Sequence, residues 1–180
     1  MISEQAKQRM RDLAARYPVA RSAVMPALYI AQQEEGYITQ AALEAVAQAI
    51  GMTVDDVESV ATFYTMYYQQ PPGKKVIKVC TSISCYLRSC DALVDHLEQR
   101  LGIKRGETTA DGNYTLMTAE CLASCGTAPV IQVNDEFVEN VTLDMADALI
   151  DEWDRELNAN VGTQFITSSS DQEISAPRAQ

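Results

Sequence analysis

Several features that define common protein classes are missing from this sequence. No apolar run approaches the ~20 residues that a membrane-spanning helix requires, so the sequence predicts no direct membrane span. The first ten residues, MISEQAKQRM, lack the apolar stretch of a secretory signal peptide, and we expect the chain to remain in the cytoplasm. Basic residues are few: 14 Lys and Arg stand against 25 Asp and Glu, and this acidic excess argues against nucleic-acid binding.

Motifs for nucleotide binding and for nucleophilic catalysis are also missing. Neither a GxGxxG loop nor a Walker-type loop occurs, and there is no nucleophile–base arrangement. The only histidine, His96, stands among Asp95 and Glu98 in a predicted helix, which indicates a solvated residue. The chain alone is therefore not expected to bind a nucleotide by those routes.

The overall composition is that of a packed protein, with 47% hydrophobic and 22% charged residues in 180. The charge is uneven, because residues 1–75 carry a net charge of −1 and residues 76–180 carry −10. This change falls close to Pro71-Pro72-Gly73, where we place a domain boundary. We predict a helical bundle domain over residues 1–71, a small α/β domain over 72–158 and a flexible tail over 159–180, which lacks periodicity.

The first predicted domain contains four short helices. Apolar residues at spacings of three and four follow the candidate N-capping residues Ser3, Ser22, Thr39 and Thr53. No cluster of titratable residues occurs among them, so we interpret this region as a packing and docking module. Four aromatic residues lie within residues 62–68, and they suit an interdomain core and a partner contact equally well.

The second predicted domain has the order strand, helix, strand, hairpin, helix. A strand over Lys74–Val79 leads into Cys80, and a second over Tyr114–Thr118 leads towards Cys121. A helix is expected from Leu87 to the glycine at position 102. The remaining segments are a hairpin around Asn134-Asp135 and a last helix capped by Thr142. This pattern predicts a small α/β sheet domain.

Two cysteine pairs follow the two strands, Cys80-x4-Cys85 and Cys121-x3-Cys125. Two such loops can bring four thiolates around one inorganic centre. Structural zinc sites use C-x2-4-C pairs, often with histidine; the four-residue gap is at the wide edge of that range, and the only histidine, His96, is far from both pairs in sequence. A [2Fe–2S] cluster is larger and suits wider loops, so the spacing favours it over zinc. Zinc remains the alternative from the spacing alone. The fifth cysteine, Cys90, lies on the apolar side of the predicted helix, so we assign it to the core.

Around the cysteine motifs the sequence resembles the thioredoxin-like [2Fe–2S] ferredoxin family, in particular the E subunits of NADH:quinone oxidoreductase (respiratory complex I). The resemblance runs over roughly residues 17–134 and is most specific in Glu120–Val130, ECLASCGTAPV. Further matching residues are Tyr17-Pro18, Gly36-Tyr-Ile-Thr39, Val60-Ala-Thr-Phe-Tyr64, Pro72-Gly-Lys74, Val79-Cys-Thr81 and Ser84-Cys85. One departure is Ser89, where the family commonly has glycine.

The resemblance implies a fold and a role that spacing does not give. It implies a small N-terminal helical bundle followed by a thioredoxin-like ferredoxin domain, with Cys80, Cys85, Cys121 and Cys125 as the ligands of one [2Fe–2S] cluster. Family members bind the flavin- and NADH-binding F subunit, and the cluster exchanges single electrons with its FMN. The chain is then peripheral, on the cytoplasmic side of the inner membrane, and by itself oxidises no NADH because FMN and NADH are on the partner.

Two other functions remain open at this point. Similar subunits with the same cysteine spacing occur as diaphorase subunits of soluble NAD-dependent hydrogenases and formate dehydrogenases. A zinc-stabilised interaction module without redox activity is the alternative of another class.

Overall fold

The N-terminal helices begin where capping chemistry predicts, in a computed structural model that describes residues 1–160. These helices are α1 (Glu4–Ala14), α2 (Val24–Glu35), α3 (Gln40–Ile50) and α4 (Val54–Phe63). The hydroxyls of Ser3, Thr39 and Thr53 each accept a hydrogen bond from the backbone N–H three residues further on, at 3.1, 3.0 and 3.2 Å. Three of the four predicted caps are confirmed.

The predicted cap at Ser22 is wrong. A short 3-10 helix over Ala20–Ala23 comes first, and α2 begins at Val24 without a side-chain cap. Pro26 lies in the first turn of α2, where its missing N–H removes no intrahelical hydrogen bond. Gly36 ends α2 in the left-handed conformation, with φ of 82°, as its position predicts.

The four helices bury a shared apolar core. Met10, Leu28 and Val46 are completely buried within it, and each such side chain stabilises the fold by about 1.5–3 kcal/mol relative to exposure. Tyr67 also belongs to this core, and its hydroxyl donates a hydrogen bond to the carbonyl of Met25 at 2.8 Å. Burial raises the pKa of Tyr67 to about 12.

The aromatic segment after α4 has two kinds of environment. Tyr67 packs in the bundle core, whereas Phe63 is 76% exposed at the end of α4. Tyr68 contacts the sheet region, because the Lys78 ammonium lies 5.5 Å from the centre of its ring. The segment therefore serves partly as core and partly as surface.

The sheet region has four strands in the order β2–β1–β3–β4. They are β1 (Lys75–Cys80), β2 (Tyr114–Ala119), β3 (Ile131–Val133) and β4 (Glu136–Val138). β1 and β2 are parallel, with Cys80 opposite Ala119, and the other two pairs are antiparallel. The carboxyl ends of β1 and β2 therefore meet at one edge of the sheet, which brings the two cysteine loops to the same place.

The helix predicted from Leu87 is broken in two. A short helix α5 (Ile83–Leu87) contains Cys85, and α6 (Cys90–Leu101) follows after a break. The break lies at Ser89, which has the left-handed φ of 64°. Leu87 is 75% exposed, so the prediction that it lies on the apolar face of α6 is wrong. Cys90 is completely buried at the start of α6, which confirms its predicted core position.

The last helix, α7 (Leu143–Asn160), belongs to a separate unit that begins at Thr142, whereas Met1–Val141 form the other unit. The Thr142 hydroxyl accepts a hydrogen bond from the N–H of Met145 at 3.2 Å, which confirms the predicted cap. Residues 159 and 160 of the predicted tail are the end of α7, and the rest of the tail lies outside the described residues. The domain boundaries at residues 71 and 158 stay predictions.

Mixed helices and a four-stranded sheet confirm the predicted α+β or α/β class. Among residues 1–160, no helix is long and apolar enough to cross a membrane.

Candidate metal centre

The parallel pairing of β1 and β2 carries the two cysteine loops to one edge of the sheet. Cys80 is the last residue of β1, and Cys121 comes two residues after the end of β2. The pairing continues beyond the strands, because the N–H of Thr81 donates to the carbonyl of Ala119 at 2.9 Å. On the other side, the N–H of Cys80 donates to the carbonyl of Val130 at 3.1 Å. The first loop is thus fixed from both neighbouring segments.

The two pairs of thiols differ in burial. Cys80 and Cys85 are 4% and 2% exposed, whereas Cys121 and Cys125 are exposed. A group held by all four would have the first pair on its protein side and the second pair on its solvent side. Such a group would be reachable from the surface through the second loop.

Backbone N–H groups converge on the sulfur of Cys80. Burial raises the pKa of this thiol, but hydrogen bonds from the N–H groups of Ser82 and Leu122 and from Cys85 outweigh burial and hold the pKa below its usual value. Leu122 belongs to the second loop and Ser82 to the first. Both cysteine loops therefore contribute N–H groups that lower the pKa of Cys80.

Cys85 has the opposite shift. Burial, the hydrogen bond with Cys80 and the negative charges of the neighbouring Cys80 and Cys90 thiolates raise the pKa of Cys85 to about 11. The hydrogen bond from the N–H of Val130 lowers this pKa but does not outweigh them. The Cys85 thiol thus donates a hydrogen bond to the Cys80 sulfur. In the second loop, the N–H of Ala123 lies 3.3 Å from the sulfur of Cys121. Three of the predicted sulfurs therefore already have backbone donors beside them.

Among residues 1–160, no three His, Cys, Asp or Glu side chains converge closely enough to surround one metal ion. Cys80 and Cys85 instead form a hydrogen-bonded pair. Soft thiolates suit iron–sulfur chemistry, and a [2Fe–2S] cluster takes two cysteines on each iron. The residues present fit this cluster by donor type, by their supply of two cysteines from each adjacent loop and by the N–H groups near sulfur.

The sequence does not predict the positions of several residues that surround the sulfurs. The N–H of Ser82 donates a hydrogen bond to the Cys80 sulfur within the first loop. Leu122, Ala123 and Val130 lie within the family motif, but the motif does not indicate that their N–H groups lie beside the sulfurs, because that placement depends on strand pairing and loop closure. Glu139 belongs to the acidic second half of the sequence, and it accepts hydrogen bonds from Ser124 and Thr127, which lower its pKa.

An exposed apolar patch lies beside the first cysteine loop. It consists of Ile83, Tyr86 and Leu87 on α5, which are 67%, 58% and 75% exposed. Cys85 lies on the same short helix and is buried. Large apolar side chains grouped at a surface are typical of sites that contact another molecule.

Comparison with known proteins gives the same family that the cysteine motifs suggest. The thioredoxin-like [2Fe-2S] ferredoxin family matches residues 10–154. The chain is 45% identical over 147 residues to the E 2 subunit of NADH-quinone oxidoreductase from Rhizobium meliloti, covering 82% of this chain and 88% of that one. It is 43% identical over 141 residues to the E subunit of NADH-quinone oxidoreductase from Mycobacterium tuberculosis, covering 78% of this chain and 56% of that longer protein.

Solved structures give the fold. The crystal structure of an NAD+-reducing [NiFe]-hydrogenase in the air-oxidized state superposes with a TM-score of 0.64 at 22% identity, over 72% of this chain and 23% of the hydrogenase chain. This similarity confirms the predicted thioredoxin-like ferredoxin fold. Because the family match extends over most of the sequence, the chain belongs to the thioredoxin-like [2Fe-2S] ferredoxin family.

Proposed function

We propose that this chain is the [2Fe–2S] electron-transfer subunit of an NADH:quinone oxidoreductase and that it exchanges single electrons with the FMN of a partner subunit. The observation that carries the proposal is the meeting of two cysteine loops at one sheet edge, where Cys80 pairs with Ala119 and the Thr81 N–H donates to the Ala119 carbonyl at 2.9 Å. The names of the relatives, which are subunits of this complex, support the choice of host.

In this proposal, Cys80, Cys85, Cys121 and Cys125 hold the cluster through their thiolates. When bound, the cluster supplies a site that takes up and releases one electron. The chain itself provides no acid–base catalysis. It holds the four thiolates in place, and it keeps water away from one side through the burial of Cys80 and Cys85.

Two features of the chain act on the reduction potential in opposite directions. Residues 76–180 carry a net charge of −10, which disfavours the addition of an electron and lowers the potential. Backbone N–H groups beside the sulfurs stabilise the reduced state and raise it. Solvent-exposed charges further than about 10 Å from the cluster would be largely screened by salt. Each N–H group beside a cysteine sulfur would therefore change the reduction potential more than each distant charge does.

The partner that we propose is the flavin- and NADH-binding F subunit, together with other subunits of the peripheral arm. The chain would meet it through the exposed cysteine loop and the apolar patch of Ile83, Tyr86 and Leu87. An apolar patch beside an exposed redox centre allows the partner to pack closely against the chain without intervening water. Close packing shortens the distance between the two redox groups, across which the electron must pass. FMN and NADH would both bind to the partner, so the isolated chain would oxidise no NADH.

Affinity purification of the tagged chain under anaerobic conditions tests this proposal. We expect a flavin-containing subunit and membrane-arm subunits to copurify, and Leu87→Glu to reduce the yield of the flavin-containing subunit while the cluster absorbance remains. Val19→Glu, at a 60% exposed position in the bundle region, is the matched control and should change neither. Hydrogenase or molybdenum-containing subunits in place of membrane-arm subunits would contradict the proposed host complex.

A further inference from the structure

One carboxylate connects the second cysteine loop to the chain that follows β4. Oε1 of Glu139 accepts hydrogen bonds from the hydroxyls of Ser124 and Thr127, the latter at 2.7 Å. The two hydroxyl oxygens are themselves only 2.8 Å apart. Ser124 immediately precedes Cys125, so the carboxylate holds the loop at the residue next to a proposed cluster ligand.

The carboxylate changes what these two hydroxyls can do. Each hydroxyl has a single proton to donate, and without Glu139 the two would bond to each other or to the carbonyl of Ser124, which lies 3.2 Å from the Thr127 oxygen. A side-chain carbonyl or carboxylate oxygen has two lone pairs and can accept from both hydroxyls at once. Glu139 therefore draws both donors to one point, and the turn between Ser124 and Thr127 is fixed by a group outside the loop.

The loop needs such a constraint because little else in it is buried. Cys121 and Cys125 are exposed, and Ala123 between them has the left-handed φ of 59°, which is unfavourable for a residue with a side chain. A loop that is exposed and locally strained relaxes when its ties are removed. The two thiol groups would then no longer be held at fixed positions.

Glu139 is brought to the loop by the backbone rather than by its own side chain. The N–H of Asn140 donates to the carbonyl of Thr127 at 2.7 Å, and the N–H of Val141 donates to the carbonyl of Pro129 at 3.0 Å. These bonds remain when the side chain of Glu139 is changed. A substitution there consequently tests the carboxylate and leaves the path of the chain in place.

We propose that Glu139 is a positioning residue for the cluster, which holds the Cys121–Cys125 loop in the conformation that presents both thiolates. This inference rests on the proposed function, since it assumes that these two cysteines are cluster ligands. Glu139 acts through Ser124 and Thr127 and touches no cysteine. Its removal should therefore loosen the cluster at one pair of ligands while the fold persists.

The test compares four variants of the full chain that carry the cluster: Glu139→Ala, Glu139→Gln, Thr127→Val and Glu136→Ala. Glutamine keeps an oxygen that can accept both hydroxyls, and valine removes one donor with little change in shape. Glu136 lies on β4 of the same hairpin and is exposed, and its side chain makes no hydrogen bond or ion pair among the described residues, so it is the matched loss of charge. The readouts are the rate of cluster bleaching in a chelator, the EPR spectrum of the reduced cluster and the thermal unfolding of each variant.

We expect Glu139→Ala and Thr127→Val to bleach at least about fivefold faster than the wild type and to alter the EPR line shape, with unfolding temperatures unchanged. Glu139→Gln and Glu136→Ala should stay within about twofold of the wild type. The inference is overturned if Glu139→Ala bleaches at the wild-type rate, if glutamine fails to rescue it, or if Glu136→Ala has the same effect. Should Glu139→Ala fail to fold, the difference between Thr127→Val and Glu139→Gln decides in the same way.

The two proposals fail in distinguishable ways. A wild-type chain that contains no acid-labile sulfide overturns both the proposed function and the role of Glu139. A wild-type chain that holds the cluster, with variants that bleach at its rate, overturns the role of Glu139 alone.

Discussion

Replacing Gly73 by alanine should strongly destabilise the sheet region. Gly73 lies just before β1 and packs against the start of β2, where its N–H donates to the hydroxyl of Thr115 at 2.6 Å. A Cβ atom on Gly73 would lie 2.6 Å from the carbonyl carbon of Tyr114, 2.8 Å from the backbone nitrogen of Tyr114 and 2.9 Å from the backbone nitrogen of Thr115. All three are backbone atoms of a paired strand, so no side-chain rotation relieves the overlap.

The magnitude follows from the rigidity of these neighbours. Overpacking of a well-packed site costs about 1–3 kcal/mol of stability. Because all three contacts of the added Cβ are with backbone atoms and shorter than 3.0 Å, we expect Gly73→Ala to lower the free energy of unfolding by about 3 kcal/mol. With a urea m-value of about 2 kcal/mol/M, this corresponds to a midpoint lower by about 1.5 M. Urea unfolding followed by far-UV circular dichroism measures the shift, and an unchanged m-value attributes it to stability.

A second glycine provides the control. Gly126 has no atom within 4 Å of the position that a Cβ would occupy, so Gly126→Ala should change the free energy of unfolding by less than about 1 kcal/mol. Both variants are compared after removal of bound metal, so that cluster occupancy does not contribute. If Gly73→Ala unfolds at the same urea concentration as the wild type, the close approach of residue 73 to β2 is wrong.

Three further expectations concern single residues. Ser89→Gly should stabilise the chain by up to about 1 kcal/mol in urea unfolding, because Ser89 is left-handed and glycine adopts that conformation without strain; a loss of stability would contradict this. Hydrogen bonds from Lys104 and from the backbone and side chain of Arg105 lower the pKa of Glu98 to about 2, despite burial. The contribution of Glu98 to stability is therefore complete above its unfolded-state pKa of about 4.3 and is lost as the pH falls through about 2. Glu98→Gln should remove this part of the acid unfolding curve. An unchanged curve would refute the ion pair. Finally, Cys85→Ser should abolish the cluster EPR signal while Cys90→Ser retains it, and the reverse result would make Cys90 the ligand.

The helix ends of the bundle could be predicted because they depend on neighbouring residues only. Ser3, Thr39 and Thr53 each bond to an N–H three residues away, so their effect is contained in the local sequence. The strands that precede Cys80 and Cys121 could be predicted for a similar reason, since alternation of polar and apolar residues is a local signal.

The break between α5 and α6 could not be predicted in this way. The apolar spacing of three and four continues from Leu87 to Val94 and Leu97, and it indicates one uninterrupted helix. The chain instead adopts a left-handed conformation at Ser89, a residue type that gives little indication of it. The resemblance to a family with glycine at this position was the only sign of a special backbone conformation.

The surroundings of the sulfurs depend on contacts between distant segments. Leu122 lies 42 residues after Cys80 in the chain, and its N–H reaches the sulfur only because β1 and β2 pair in parallel. Glu139 reaches Ser124 from 15 residues away through the return of the β3–β4 hairpin. Sequence spacing indicated which cysteines pair along the chain, and tertiary structure was needed to find the groups that orient them.

The most direct test of the central claim is a combined assay of iron, acid-labile sulfide and zinc on the anaerobically purified wild-type chain. A [2Fe–2S] cluster held by Cys80, Cys85, Cys121 and Cys125 predicts about two irons and about two sulfides per chain, with no zinc. One zinc per chain and no acid-labile sulfide would contradict the claim and identify the site as a structural zinc centre.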